Sequence, residues 1–160
     1  MSAFRRLRAD EIEIRAAQVA KNAAGAVYAS LLLYKDARVD QRLLDETYGS
    51  MNWQRSHTII DGNLYCTVSV WDDNKGIWVS KQDVGVESQT EKEKGQASDA
   101  FKRACFNWGI GRELYTSPFV WVNLGQNEWR LGAGGRKQPA VKFSVKEISY
   151  KDGKVAKLVI

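Results

Sequence analysis

Four residues near predicted strand ends have the side-chain types of a metal-dependent nuclease. Asp72 and Asp73 follow one predicted strand, and Lys81 and Asp83 lie near the end of the next. Carboxylates can hold Mg²⁺, and a lysine can stabilise a leaving phosphate group. Their spacing is poor for a shared metal, because Asp72 and Asp73 begin the sequence DDNKG, which is typical of a turn. A Mg²⁺-dependent nuclease is therefore the least favoured of our functional hypotheses.

Other patterns for catalysis or nucleotide binding are weak or absent. The single histidine, His57, cannot build a histidine-rich metal site, and an ordinary strand histidine explains it better. No Gly-x-x-x-x-Gly-Lys-Ser/Thr sequence is present to cradle the phosphates of ATP. Gly109 and Gly111 follow a predicted helix instead of opening one, which indicates a helix cap. We assign no catalytic residue, no metal ligand and no cofactor.

The composition favours a polyanionic partner. The chain has 24 Lys and Arg against 19 Asp and Glu, which gives a net charge of +5 and a pI near 9.2. Such cations bind phosphate backbones by displacing counterions. Six tryptophans offer rings for stacking on unpaired bases, although tryptophans also serve cores and interfaces.

The sequence also predicts where the protein works. No apolar run approaches the roughly 18 residues of a membrane span, and the basic N-terminus lacks the apolar region of a secretory signal. Cys66 and Cys105 show no partner pattern, so we expect buried thiols without a disulfide. These features predict a soluble cytoplasmic protein.

Hydrophobic periodicity predicts an α+β chain. Apolar residues at helical spacing predict a helix over residues 10–22. A nearly continuous apolar run predicts a buried strand over 27–34, and a short helix is predicted over 40–48. Three strands with short turns then predict an antiparallel meander over 53–60, 64–71 and 77–84. A long helix over 90–108, a strand over 119–122, a loop over 123–140 and a C-terminal hairpin over 141–150 and 155–160 complete the prediction.

The long predicted helix separates apolar from basic side chains. At about 100° per residue, one buried stripe is formed by Ala97, Phe101, Ala104 and Trp108. Lys102 and Arg103 fall outside this stripe, and Phe106 lies almost opposite it. A phenylalanine on a polar face is expected to contact a ligand, a neighbouring subunit or another part of the fold.

Three segments in this order resemble the Rad fifty-two family of recombination proteins, and most of all its short phage and prophage members. Residues 83–109 read DVGVESQTEKEKGQASDAFKRACFNWG, residues 37–53 begin ARVD and end YGSMNW, and residues 109–115 read GIGRELY. The matching region covers about two thirds of the chain.

The resemblance implies a fold and a function. The fold would be a three-stranded antiparallel meander packed on a long helix, a β-β-β-α core, preceded by a helix-strand-helix segment; the sequence pattern adds the C-terminal hairpin. The function would be annealing of complementary single strands in homologous recombination and DNA repair, without a nucleotide cofactor or enzymatic activity. Members assemble into rings or helical filaments with a basic groove, and an ssDNA-binding protein or an exonuclease would be a further partner. For a phage protein, the location would be the host cytoplasm.

The length of 160 residues predicts a single domain over residues 1–160. Residues 1–9 are basic and are expected to be flexible, and a predicted strand at the end of the sequence suggests a further C-terminal tail. The resemblance implies a set of DNA-binding residues. Arg38 matches a groove arginine, and Lys102 and Arg103 match the basic pair of the DNA-facing helix. Phe106 stands where eukaryotic members have an arginine.

Two alternatives remain open at this point. Arg38 or Arg103 could serve only in a salt bridge to a carboxylate such as Asp99. The protein could also be a passive single-strand-binding module that protects DNA without accelerating its pairing.

Overall fold

The computed structural model describes residues 4–86 and 92–160. Within these residues it contains ten strands and two α-helices. In chain order they are β1 (Glu13–Lys21), β2 (Val27–Tyr34), α1 (Ala37–Tyr48), β3 (Trp53–Ile60), β4 (Asn63–Asp72), β5 (Ile77–Val84), α2 (Lys92–Trp108), β6 (Val120–Leu124), β7 (Trp129–Leu131), β8 (Lys137–Pro139), β9 (Glu147–Lys151) and β10 (Lys154–Val159).

The predicted fold class is wrong. The described residues form a mostly β structure in which the strands make four small sheets, and a long helix on a three-stranded meander does not account for it. The chain forms two compact units. Unit 1 comprises the described residues of Met1–Arg6 and Asp36–Arg112, and unit 2 comprises Leu7–Lys35 and Glu113–Ile160. The prediction of a single domain over residues 1–160 stays a prediction.

The segment predicted as the first helix is strand β1. It pairs antiparallel with β2, and the register shifts between Ala16 and Gln18. Such a bulge adds one residue to the strand, so the core-facing positions change from a spacing of two to a spacing of three. Ile14, Ala16 and Val19 consequently all pack on the core of unit 2. The bulge gives the apolar residues of β1 a spacing like that of a helix, which explains why the sequence wrongly predicted a helix over residues 10–22.

Unit 1 holds both α-helices and one sheet. Asp36 caps α1 by accepting a hydrogen bond from the backbone nitrogen of Arg38. The sheet has the order β3-β4-β5 with antiparallel pairing throughout. Helix α2 packs on β4 and β5. Its fully buried side chains are Ala100, Phe101, Ala104 and Cys105, while the predicted stripe members Ala97 and Trp108 are only half-buried.

Unit 2 has a sheet of order β1-β2-β6 and two separate hairpins. Its core cluster of Val27, Ala29, Leu31 and Leu124 lies on one face of that sheet. Strands β7 and β8 pair within residues 123–140, so this segment is not the loop that we predicted. Strands β9 and β10 form the C-terminal hairpin, shorter than its predicted range.

The first described residues are also anchored. Phe4 in unit 1 and Leu7 in unit 2 are buried, and the guanidinium of Arg5 pairs with Glu46 at 2.8 Å. Residues 1–3 of the predicted flexible segment lie outside the described residues, and the flexibility of residues 1–9 stays a prediction.

Candidate nucleic-acid interface

Arg38 lies at the start of α1 and shares a carboxylate with the helix cap. Asp36 Oδ1 accepts from both the backbone nitrogen and Nε of Arg38, each at 2.8 Å. The Arg38 side chain is nevertheless 82% exposed. Its charged head is accessible to solvent.

Lys102 acts on the same carboxylate from a different element. The hydrogen bonds from Arg38 are the main cause that lowers the pKa of Asp36, and the charges of Arg38 and Lys102 lower it further. The two helices that carry these residues, α1 and α2, contact each other. The structure thus places two of the predicted residues, Arg38 of α1 and Lys102 of α2, on neighbouring helices of unit 1.

Arg103 points toward β5. Its Nε lies 3.4 Å from Asp83 Oδ1, and the Arg103 side chain is 48% exposed. Asp83 also accepts from the backbone nitrogen of Val84 and from the side-chain amide of Asn107. Asp99 instead accepts from the backbone nitrogen of Val86 at 3.0 Å. Arg103 therefore does form a salt bridge, but its partner is Asp83 and not the suggested Asp99.

Phe106 is half-buried although it lies on the helix face opposite the core. The chain that follows α2 contacts this side chain, since the guanidinium of Arg112 lies 5.6 Å from the centre of the Phe106 ring. Arg112 Nε also donates to the carbonyl oxygen of Phe106 at 2.8 Å. A cation and an aromatic ring are therefore held together on this surface.

Sequence reasoning did not assign Lys81 and Arg112 to this surface. Both donate to the carbonyl oxygen of Asn107, Lys81 Nζ at 3.1 Å and Arg112 Nη2 at 2.7 Å. Lys81 Nζ also lies 4.8 Å from the centre of the Trp108 ring. Alternation along β5 could have placed Lys81 on the α2 side with Val79 and Asp83. No local signal could have found Arg112.

The residues considered for a nuclease have structural partners. Asp72 accepts from the backbone nitrogens of Asn74 and Lys75, and Asp73 accepts from Trp71 Nε1 at 2.7 Å. They hold the turn between β4 and β5, as the turn interpretation predicted. In the described ranges, 4–86 and 92–160, no group of three or more His, Cys, Asp or Glu side chains is arranged to hold a metal ion.

The histidine and the cysteines have ordinary surroundings. His57 Nε2 donates to the carbonyl oxygen of Ala97 at 3.2 Å, which joins β3 to α2. Cys66 and Cys105 are both buried thiols, as predicted. Burial raises the pKa of the Cys66 thiol to about 11 despite the opposing effect of Arg55. The Cys66 thiol is therefore protonated at neutral pH.

Comparison of the chain with protein-family models and with curated proteins found no match. In the part of the chain that the structure describes, neither helix is long and apolar enough to cross a membrane.

Proposed function

We propose that this protein binds the phosphate backbone of single-stranded DNA and anneals complementary strands without a nucleotide cofactor. It would do so as a ring-forming or filament-forming member of the Rad fifty-two family that carries out no enzymatic step. Its place would be the cytoplasm, or the host cytoplasm for a phage protein, in homologous recombination and DNA repair.

One observation carries the proposal. Arg38 and Lys102 lie on two helices of unit 1, α1 and α2, that contact each other. The Arg38 side chain is 82% exposed, so its guanidinium can present N–H donors to a phosphate.

The chemistry of annealing follows from contacts of this kind. Cations that hold phosphates leave the hydrogen-bonding edges of the bases unoccupied. A strand held extended by its backbone can therefore pair with a second strand while it is still bound. Neither the binding nor the pairing needs ATP.

An annealing assay tests the proposal directly. Two complementary oligonucleotides, one with a fluorophore and one with a quencher, are mixed with the protein in EDTA. We expect faster quenching than for the oligonucleotides alone. Binding without acceleration would indicate a passive single-strand-binding module. An effect on the DNA that is seen with Mg²⁺ and is lost in EDTA would indicate the nuclease. Absence of any binding would overturn the proposal.

The salt dependence tests the phosphate contacts. Binding should weaken steeply between low and physiological salt, with a log-log slope of about −0.7 for each phosphate contacted, and should differ little between oligonucleotide sequences. Arg38→Gln and Lys102→Gln should each make the slope shallower. Lys75→Gln removes a charge that pairs with Asp72 in the β4–β5 turn and is the matched control. A slope near zero for the unaltered protein would contradict the phosphate model.

A further inference from the structure

A second group of cations lies at the C-terminal end of α2. Lys81 and Arg112 approach the Asn107 carbonyl oxygen from β5 and from the segment after the helix, at 3.1 and 2.7 Å. Arg103 lies one turn earlier on the same helix and pairs with Asp83. Three elements of unit 1 thus place three cations around the end of one helix.

The positive charge of this group is not neutralised. Asp83 offsets Arg103, but within residues 4–86 and 92–160 neither Lys81 nor Arg112 forms a salt bridge to a carboxylate. The carbonyl groups at a helix C-terminus attract cations, yet together they carry only about half an elementary charge. At least one full positive charge therefore remains available to an anion.

The donors of both side chains are only partly used. An ammonium group has three N–H donors, and Lys81 uses one of them for Asn107. A guanidinium has five, and Arg112 directs two toward the carbonyl oxygens of Phe106 and Asn107. The contacts to the carbonyls fix the directions of the remaining donors, which lowers the entropy lost when a phosphate binds.

The Phe106 ring connects this group to Lys102. Lys102 and Phe106 are four residues apart on α2 and so share a face, and the Arg112 guanidinium lies 5.6 Å from the Phe106 ring centre. A strand following this face would meet a cation, an aromatic ring and a second cation in succession. Proteins that bind single strands without sequence preference use this alternation of charge and ring.

We propose that Lys81 and Arg112 form a second phosphate-binding site for single-stranded DNA, with the Phe106 ring contacting the adjacent sugar or base. The site rests on the proposed function and extends the contact surface from the Arg38 and Lys102 region to the end of α2. The competing explanation is that both cations only cap the helix.

Charge-removing and charge-keeping variants separate these explanations. Binding of a labelled dT₂₀ oligonucleotide is measured by anisotropy across a salt series for Arg112→Gln, Arg112→Lys and Lys81→Met. We expect Arg112→Gln and Lys81→Met to weaken binding roughly five- to tenfold at low salt and to make the slope shallower by about 0.7 each. Arg112→Lys should keep the slope. Lys75→Met is the matched control and should change neither quantity.

A measurement on the unaltered protein tests the second site even if the variants fail to fold. Lysines are acetylated with N-hydroxysuccinimide acetate, with and without dT₂₀, and the products are identified by mass spectrometry. Lys81 should be protected by the oligonucleotide, and Lys75 should not.

Each outcome bears on one proposal. Control-like slopes for Lys81→Met and Arg112→Gln, or equal acetylation of Lys81 with and without dT₂₀, would overturn the second site while binding through Arg38 and Lys102 persists. If the unaltered protein does not bind dT₂₀ at all, the proposed function itself fails.

Discussion

Asp36 has one role that stabilises the fold and one that would oppose DNA binding. Its carboxylate caps α1, and it also accepts a hydrogen bond from the guanidinium of Arg38, one of the cations that we propose for DNA binding. Because the hydrogen bonds from Arg38 lower its pKa in the folded protein, Asp36 stabilises the fold above its ordinary pKa of about 3.9. That contribution is lost as the pH falls through the lowered, folded-state pKa. At neutral pH the carboxylate is charged, and it would compete with a phosphate for the Arg38 guanidinium.

Replacing Asp36 by asparagine should therefore strengthen DNA binding. Asparagine caps helices as well as aspartate does, so α1 should remain intact while one negative charge disappears. We expect tighter binding of a dT oligonucleotide, with a salt slope steeper by up to about 0.7, in an anisotropy titration. Asp73→Asn removes an equal charge from the β4–β5 turn and is the control. Unchanged or weaker binding by Asp36→Asn would argue against Arg38 and Lys102 as phosphate ligands.

Phe106 and Lys102 should respond differently to substitution. Phe106→Ala should lower the affinity for single strands by about 1 to 3 kcal/mol and leave the salt slope unchanged, because a ring contact releases no counterion. Lys102→Ala should lower the affinity and make the slope shallower by roughly 0.7 to 1. Both titrations are combined with a measurement of oligomer size. A Phe106→Ala protein that binds normally at every salt concentration removes Phe106 from the site, and one that dissociates into monomers assigns it to a subunit interface.

The contact between β5 and α2 depends on Gly85, which follows the strand directly. Its backbone nitrogen donates to the carbonyl of Leu64 at 2.9 Å, and its carbonyl oxygen accepts from the side chain of Gln96 at 3.3 Å. A Cβ atom at this position would overlap the carbonyl oxygen of Gln96 and lie 2.8 Å from the backbone nitrogen of Ala100. The strand can approach the helix this closely only because residue 85 has no side chain.

Gly85→Ala should consequently destabilise unit 1. The overlap involves helix backbone, which cannot rotate away, so we expect a loss of about 1 to 3 kcal/mol or more in the free energy of unfolding by urea. Gly125→Ala is the control, since its Cβ would meet only the flexible side chain of Glu128 at 3.4 Å. Equal stability of the two variants would show that α2 and β5 do not pack this closely in solution.

Several large apolar side chains are exposed, and they are relevant to whether the protein forms oligomers. Trp71 and Trp78 meet edge to face with ring centres 5.6 Å apart, and Trp78 remains 41% exposed. In unit 2, Phe119 is 79% exposed and Trp121 is 58% exposed. Large apolar side chains in such number on small units are typical of surfaces that contact other chains.

We therefore predict that the protein forms a large oligomer. Contacts between two different patches of each subunit would produce a ring or an open filament, depending on whether the rotation closes. Light scattering coupled to gel filtration should give a mass several times 18.1 kDa, with and without DNA. A monomer under both conditions would contradict this prediction.

Local sequence patterns determined several elements without help from the rest of the fold. The strands over 27–34, 53–60 and 77–84 have the predicted bounds, because alternating side chains and turn residues such as Asp61 and Gly62 act within a few positions. The positions of Lys102, Arg103 and Phe106 outside the buried face of α2 likewise follow from helical geometry alone.

Tertiary structure decided what local patterns could not. A bulge gave β1 the apolar spacing of a helix, and only pairing with β2 made it a strand. Arg103 pairs with Asp83 of β5 rather than with Asp99 of its own helix. Lys81 and Arg112 both donate to the carbonyl oxygen of Asn107. Arg103 and Lys81 make these contacts because α2 packs on β5, which is distant from it in the sequence. Periodicity describes which way a side chain faces on its own element. Which charges become neighbours depends on contacts between elements, and these have no signature in any single segment.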